Sequence, residues 1–425
     1  MKTKLLFASI LALAVQKTVV AQTDANGYTS VNLTTGANYQ NRVFFDFSAN
    51  TIVSQPANTW DIAFYRNSTM SFGTRINDAQ NIEVYEASNV AANWDNINVS
   101  NIASWGAPLY NPDVTTTLQD GAFEQGSAPY GWGSYNVGNH HIEGNVIFVL
   151  KYASTGEYIK FMIQDYFGGY TFKYSKWNAT TSSWDATQTK TIANGTDDAF
   201  FNYFSFTTGD KVANLEPPKA DWDLMFTRYW SFYANIMMYR LSGVIQSPNL
   251  TIAKVQPENQ ETSSATLPAT TAFSGNITTI GHSWKPTTGV YSDVVYYVKQ
   301  GSTYYRMYFT QNGGAASGNM YFKYKNITSV LDVTEVSKKA SFGIYPNPTT
   351  SDKRVTVLYD VKEKANNKGN VEIYDLTGKK VHQSELTNQA GFYKQELNLS
   401  HLPSGNYMVK ITFGGQTETK KLIVK

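Results

Sequence analysis

Trp60-Asp61-Ile62-Ala63-Phe64-Tyr65-Arg66 and Asp221-Trp222-Asp223-Leu224-Met225-Phe226-Thr227-Arg228-Tyr229 are two copies of one pattern. Each reads Trp-Asp, then Ile or Leu, then a Phe two residues on and an Arg close behind. Apolar residues alternate from Trp222 onward. Trp222, Leu224 and Phe226 share one side, and Asp223, Met225 and Thr227 the other. A period of two is that of a strand with one buried face. The Asp after each Trp then faces a loop or a neighbouring backbone N–H. One structural Asp per copy, capping backbone N–H groups, is the expectation. Arg66 and Arg228 are expected to neutralise or pack against the same strand end.

The surrounding sequence repeats too. Phe45-Asp46-Phe47 recurs as Phe204-Ser205-Phe206, Trp132 as Trp284, and 145–151 (NVIFVLK) as 293–299 (DVVYYVK). The closing stretch 170–174 (YTFKY) recurs as 320–324 (MYFKY). Order is preserved while spacing drifts, as loop insertions cause. This implies two homologous domains of about 150 residues each, an ordinary size.

Composition favours strands and turns. Of 425 residues only 16% are charged and 14% are aromatic, so the remaining polarity is carried by Asn, Thr, Ser and Gly. β-branched and aromatic side chains suit a pleated surface, and Asn and Gly suit tight turns. The net charge of +2 carries no basic footprint for nucleic acid. With no cysteine, disulfides, thiolate catalysis, Cys-based zinc sites and a lipid-bearing N-terminal Cys are all excluded.

Residues 1–21 read as a secretory signal, with Lys2 and Lys4 before an apolar run and cleavage near Ala21. No later stretch is long and apolar enough for a transmembrane helix. The first repeat occupies 22–190, with strands expected at 28–33, 43–47, 60–65, 81–86, 144–151, 157–164 and 170–174. A long aromatic-rich stretch, 92–140, interrupts it. The second repeat occupies 191–330 and 331–341 read as a linker. Residues 342–425 hold several short alternating strands, the pattern of a small β-sandwich.

That last unit resembles the type A C-terminal sorting domain of type IX secretion cargo. The residues carrying the resemblance are YPNP at 345–348, IYDLTGKKV at 373–381, LPSGNYMVKI at 402–411 and the terminal KKLIVK. It implies the type IX machinery as partner, export to the cell surface or medium, and removal of the domain. The two repeats resemble the HmuY-like family of secreted haem-binding proteins, through WDIAFYR at 60–66 and WDLMFTRY at 222–229, each followed by a long loop and a closing F-K-Y strand. This implies an all-β fold of two antiparallel HmuY-like domains, with haem held between axial side chains.

Haem iron takes His or Met donors. The repeats contain His140, His141 and His282, all near the equivalent Trp132 and Trp284. These are the candidate haem ligands, with exposed loop histidines as the plain alternative. In an extended segment His140 and His141 point to opposite sides, so one at most faces a given iron. Met162, Met237, Met238, Met307 and Met320 are possible second donors or core filler. Trp105, Trp132, Tyr135 and Trp284 are candidates for stacking on a porphyrin or sugar ring. Trp94, Trp105, Tyr110, Tyr130 and Tyr135 could instead pin the long loop onto its sheet. No G-x-S-x-G, H-E-x-x-H or P-loop occurs. The chain therefore reads as a secreted, non-enzymatic ligand-binding protein with no metal site apart from haem iron. The alternative is an adhesin or carbohydrate-binding surface protein that uses the fold without haem. A hydrolase with dispersed catalytic residues comes third.

Overall fold

Alternating apolar residues separated by Asn- and Gly-rich turns make strand the dominant state. Six sheets and one four-residue α-helix, Gly314–Ser317, are built from the described residues. In this computed structural model those are 23–66, 71–195, 198–234, 236–261, 266–328, 340–362, 364, 368–414 and 416–425, with the backbone of Val15–Thr18. The chain divides into two units, Met1–Leu331 and Asp332–Lys425. Residues 1–14 and 19–21 of the expected signal lie outside the described residues, as does most of the expected linker. Val15–Thr18 pairs with Thr51–Ser54 at a sheet edge.

All seven strands expected in the first repeat are present: Thr29–Thr34, Asn41–Asp46, Ile62–Tyr65, Ile82–Ser88, Ile147–Tyr152, Tyr158–Tyr166 and Gly169–Asn178. Their partners are not the ones that two successive domains would supply. Asn41–Asp46 pairs with Leu224–Tyr233, and Thr29–Thr34 pairs with Asn319–Asn326. Reciprocally, Phe201–Ser205 pairs with Ile62–Tyr65, and Gln188–Ala193 pairs with Gly169–Asn178. Each repeat gives its opening strands to the other, the arrangement of a domain swap within one chain. The boundary expected at 190/191 falls inside Gln188–Ala193.

Two sandwich-like modules result. The first runs from Trp60 to Val212. Ile62, Phe64, Phe123, Trp132, Phe148, Phe161, Phe172 and Phe204 fill its core. The second joins residues 29–56 to 224–326, and its core combines Val31, Phe45 and Phe47 with Leu224, Phe226, Trp284, Phe309 and Phe322. Trp284 stacks on Phe309 with ring centroids 4.0 Å apart. Such pairs add about 0.5–1.5 kcal/mol beyond the area they bury.

The two motif aspartates fasten the exchange. Asp61 Oδ2 accepts from Phe206 N at 2.6 Å, and its Oδ1 accepts from Tyr152 Oη at 2.7 Å and Gln80 Nε2 at 2.8 Å. Asp223 Oδ2 accepts from Phe47 N at 2.8 Å, and its Oδ1 from Gln300 Nε2 at 2.7 Å. Each Asp therefore caps the Phe-x-Phe hairpin of the other repeat, in line with the backbone-capping expectation. Burial raises both carboxyls, Asp223 to about 7, although the donors around them favour the charged form.

One detail of the motif departs from the period-two expectation. The second strand begins at Leu224, so the alternation does not extend back to Trp222. Leu224 and Phe226 enter the second module's core, while Trp222 packs into a separate cluster with Trp60, Phe44, Tyr203 and Tyr229. Asp223 caps Phe47, and Trp222 packs among residues of both modules.

In the second unit, Ala340–Tyr345, Arg354–Val361 and Gly391–Asn398 form a three-stranded sheet. Lys380–Leu386, Gly369–Tyr374, Gly405–Phe413 and Gln416–Val424 form a four-stranded one. Val355, Val357 and Leu397 from the first pack with Val371, Ile373, Ile411 and Leu422 from the second. The sequence landmarks have structural roles here. Asn347 donates to Lys421 O at 2.7 Å and accepts from Ile423 N at 2.9 Å, tying the YPNP stretch to the terminal strand. Asp375 Oδ1 accepts from Thr377 N and Lys379 N, closing the turn in which Gly378 takes φ +84°.

Candidate ligand pocket

Gly133–Asn136 and His141–Gly144 form a short hairpin at the edge of the first module's large sheet. Its turn is held by its own side chains. Asn136 Oδ1 accepts from Gly138 N, Asn139 Oδ1 accepts from His141 N, and both amides donate to Glu143 Oε1. These bonds hold His140 in the left-handed region at φ +64°. Beneath lies a half-open pocket of about 300 Å³ lined by Phe72, Tyr130, Tyr135, His140, Ile142, Tyr166 and Phe167. Tyr130, Tyr135 and Phe167 are exposed, and Phe72 sets its ring edge-on to Tyr130 at 5.6 Å.

The histidines are placed differently. His140 lines the pocket, and its Nδ1 lies 2.5 Å from Tyr135 Oη. His141 stacks flat on Phe167 at 4.7 Å and 1°, with Nδ1 bound to Asp165 at 2.7 Å. His282 lies in the other module. Its Nδ1 meets Tyr229 Oη at 2.8 Å, and burial, then the Lys285 charge, lowers its pKa. Tyr229 is buried and His282 half-buried, so this second Tyr–His pair is less open than the first. The structure therefore does not bring His282 together with the other two.

Three stacking candidates need correction. Trp132 and Trp284 are fully buried core residues, each with its indole N–H donated inward, to Glu124 and to Gly281 O. They have no face to offer a ligand. Trp105 packs with Trp94 and Ile97 against the outer face of the sheet. There these rings pin the short helical turns Ala91–Asn96 and Val99–Ser104. Tyr110 packs on Trp230 at 4.4 Å. Of the four candidates only Tyr135 reaches the pocket. Met162, Met307 and Met320 are core, and Met237 is exposed on a hairpin. Arg66 is buried with Glu216 as its strongest charged neighbour, and Arg228 lies over Tyr39.

Phe72, Tyr166 and Phe167 join the pocket without being among the sequence candidates. The cluster Tyr166-Phe167-Gly168-Gly169-Tyr170 was a usable signal, since rings beside a Gly-Gly turn sit at a sheet end. Among the described residues, no group of three or more His, Cys, Asp and Glu side chains could hold a bare metal ion, and no helix is long and apolar enough to cross a membrane.

Comparison with known proteins adds one firm identification. Residues 343–425 match the family described as the secretion system C-terminal sorting domain. No curated protein matches the chain. The chain is therefore addressed through its last 83 residues to the type IX secretion machinery, and by it to the cell surface or the extracellular space.

Proposed function

We propose that the exported chain is a non-enzymatic binding protein that takes a flat ring ligand, haem or a related tetrapyrrole, in the first module's aromatic pocket. The observation that carries this reading is the Tyr135–His140 pair at the mouth of a pocket otherwise lined by Phe72, Tyr130, Ile142, Tyr166 and Phe167. The resemblance of both repeats to the HmuY-like family agrees with it.

The donor set fits the group. Phenolate and imidazole are both haem-iron ligands. Bound haem would supply a ferric centre, and Tyr135 with His140 would be the residues that hold it. With His140 as the Nε2–H tautomer, Tyr135 Oη donates to Nδ1, and this bond would orient the phenol oxygen that holds the group. The side chain–backbone bonds of the 136–143 turn hold that imidazole in place. Phe72, Tyr166 and Phe167 offer flat apolar faces.

The test is a haemin titration of the purified chain, followed through the visible spectrum. A saturable Soret shift at one equivalent is expected, weakened about tenfold or more by Tyr135→Phe and by His140→Ala. His282→Ala leaves it unchanged. A broad, non-saturable shift, or one indifferent to Tyr135, rules the reading out. A second reading, sugar stacking, is favoured by exposed Tyr130 and Tyr135 beside Asn139 and Glu143 at the rim. It predicts retention on polysaccharide that survives Tyr135→Phe and is lost in Tyr135→Ala.

A further inference from the structure

The repeated Trp-Asp motif creates a second feature that neither haem nor sugar binding uses. Trp60 and Trp222, equivalent residues of the two repeats, converge on one cavity of about 50 Å³ between the modules. That is room for about three or four waters, or one small oxyanion. Arg42, Arg75 and Arg228 line it, against the carboxylates Asp78 and Glu216.

The hydrogen-bond accounting is one-sided. Trp60 Nε1, Trp222 Nε1, Arg42 Nε and Arg228 Nε are buried and have no protein partner. Trp60, Trp222 and Arg42 are 7%, 2% and 4% exposed. All four groups are donors, and none of the unpartnered buried acceptors belongs to a residue lining this cavity. Both carboxylates are already engaged. Glu216 accepts from Phe201 N and Tyr203 Oη, and Asp78 accepts from Asn111 Nδ2. Arg42 has the Glu216 charge beside it, but three guanidiniums face two carboxylates, and each buried donor left unpaired is costly. What completes the set is a group that only accepts and carries negative charge.

We propose that the cavity between the modules is a binding site for one small oxyanion of phosphate or sulfate size, held by the indole N–H groups of Trp60 and Trp222 and by Arg42 and Arg228. Two residues contributed by each repeat meet there, so the anion joins the exchanged halves. Charge-assisted hydrogen bonds from Arg and indole donors are the stronger kind. The motif Trp is then kept for its N–H as well as for its ring.

The test is calorimetric titration of the full chain with inorganic phosphate and with sulfate, at fixed ionic strength, with chloride as the size control. Because the site is buried, thermal midpoints are also recorded after refolding in each salt. Binding of one equivalent per chain is expected, with a saturable rise in midpoint that chloride does not match. Trp60→Phe and Trp222→Phe keep the ring and remove the N–H, and each weakens affinity roughly tenfold. Arg42→Met serves if either Phe variant fails to fold. Trp230→Phe, which also removes an unpartnered buried N–H but does not line the cavity, leaves affinity unchanged. The proposal fails if phosphate and sulfate match chloride, if the Phe variants bind as the parent does, or if a crystal grown in phosphate shows only water there.

Discussion

The two modules share strand order, a central buried Trp, an Asp-capped hairpin and a Tyr–His pair, yet the pair is exposed in the first and largely buried in the second. In the first, Tyr135 and His140 stand at the mouth of an aromatic pocket. In the second, the Tyr229–His282 pair is packed against Tyr233 and the interface between modules. The scaffold is set by strand pairing and core volume, which tolerate little change. The loops between strands answer to neither constraint, so they are where the copies diverge. The two pairs also stand at different places in the repeat: Tyr135 follows Trp132 on an edge hairpin, and Tyr229 lies on the motif strand itself.

The largest expected effect tests the exchange itself. A fragment of 191–330 lacks Thr29–Thr34, Asn41–Asp46 and Thr51–Pro56, which complete the second module, and should remain unfolded by circular dichroism. Adding back the partner fragment 22–190 should restore the sheet signal. Independent folding of 191–330 would mean that the modules close within each repeat.

The capping aspartates rank next. Asp61→Ala removes the acceptor of Phe206 N, Tyr152 and Gln80, and Asp223→Ala that of Phe47 N and Gln300. Each change leaves a buried N–H unpaired and should cost about 2–3 kcal/mol in denaturant unfolding, Asp61 more than Asp223. Equal or negligible losses would show that strand pairing alone holds the exchange.

Buried carboxyls predict an unusual pH response, weighted to the first module. Burial raises Asp78 to about 7 despite the Arg75 charge, and Glu124 to about 8 despite its bonds from Thr74 N and Gly121 N. Asp223 in the second module rises to about 7. For an acid whose folded pKa lies above its unfolded value, the folded state holds the proton more tightly. The stabilisation is full below the ordinary values of 3.8 and 4.5 and is lost as pH rises through about 7 to 8. Thermal midpoints should fall over that window, and Glu124→Gln should flatten the fall. Midpoints that climb instead would mean that the surrounding donors keep these groups ionised.

The smallest expected change in stability separates the two Tyr–His pairs. Tyr135→Phe, at an exposed site, should shift stability by less than about 0.5 kcal/mol. Tyr229→Phe leaves half-buried His282 short of a partner and should cost about 1 kcal/mol. Equal costs in calorimetric unfolding would remove the contrast between the exposed and the largely buried pair.

By itself, the sequence determined the all-β fold, the duplication, the seven strands of the first repeat, the capping role of Asp61 and Asp223, and the sorting domain. Those properties rest on local signals: alternation, turn residues and short motifs that recur in order. Tertiary structure alone decided which strands pair. Phe45 alternates identically whether its neighbour is in its own repeat or the other, because period two marks a buried face and carries no name for the partner strand. Tertiary structure also decided which aromatics are available. Trp132 and Tyr135 lie three residues apart in one loop, but one fills the core and the other faces solvent, a difference set by the sheet beneath them. The pocket residues Phe72, Tyr135 and Tyr166 come from three distant segments, and no spacing rule joins them. The cavity at Trp60 and Trp222 likewise draws Arg42 from one repeat and Arg228 from the other, and no local pattern joins them.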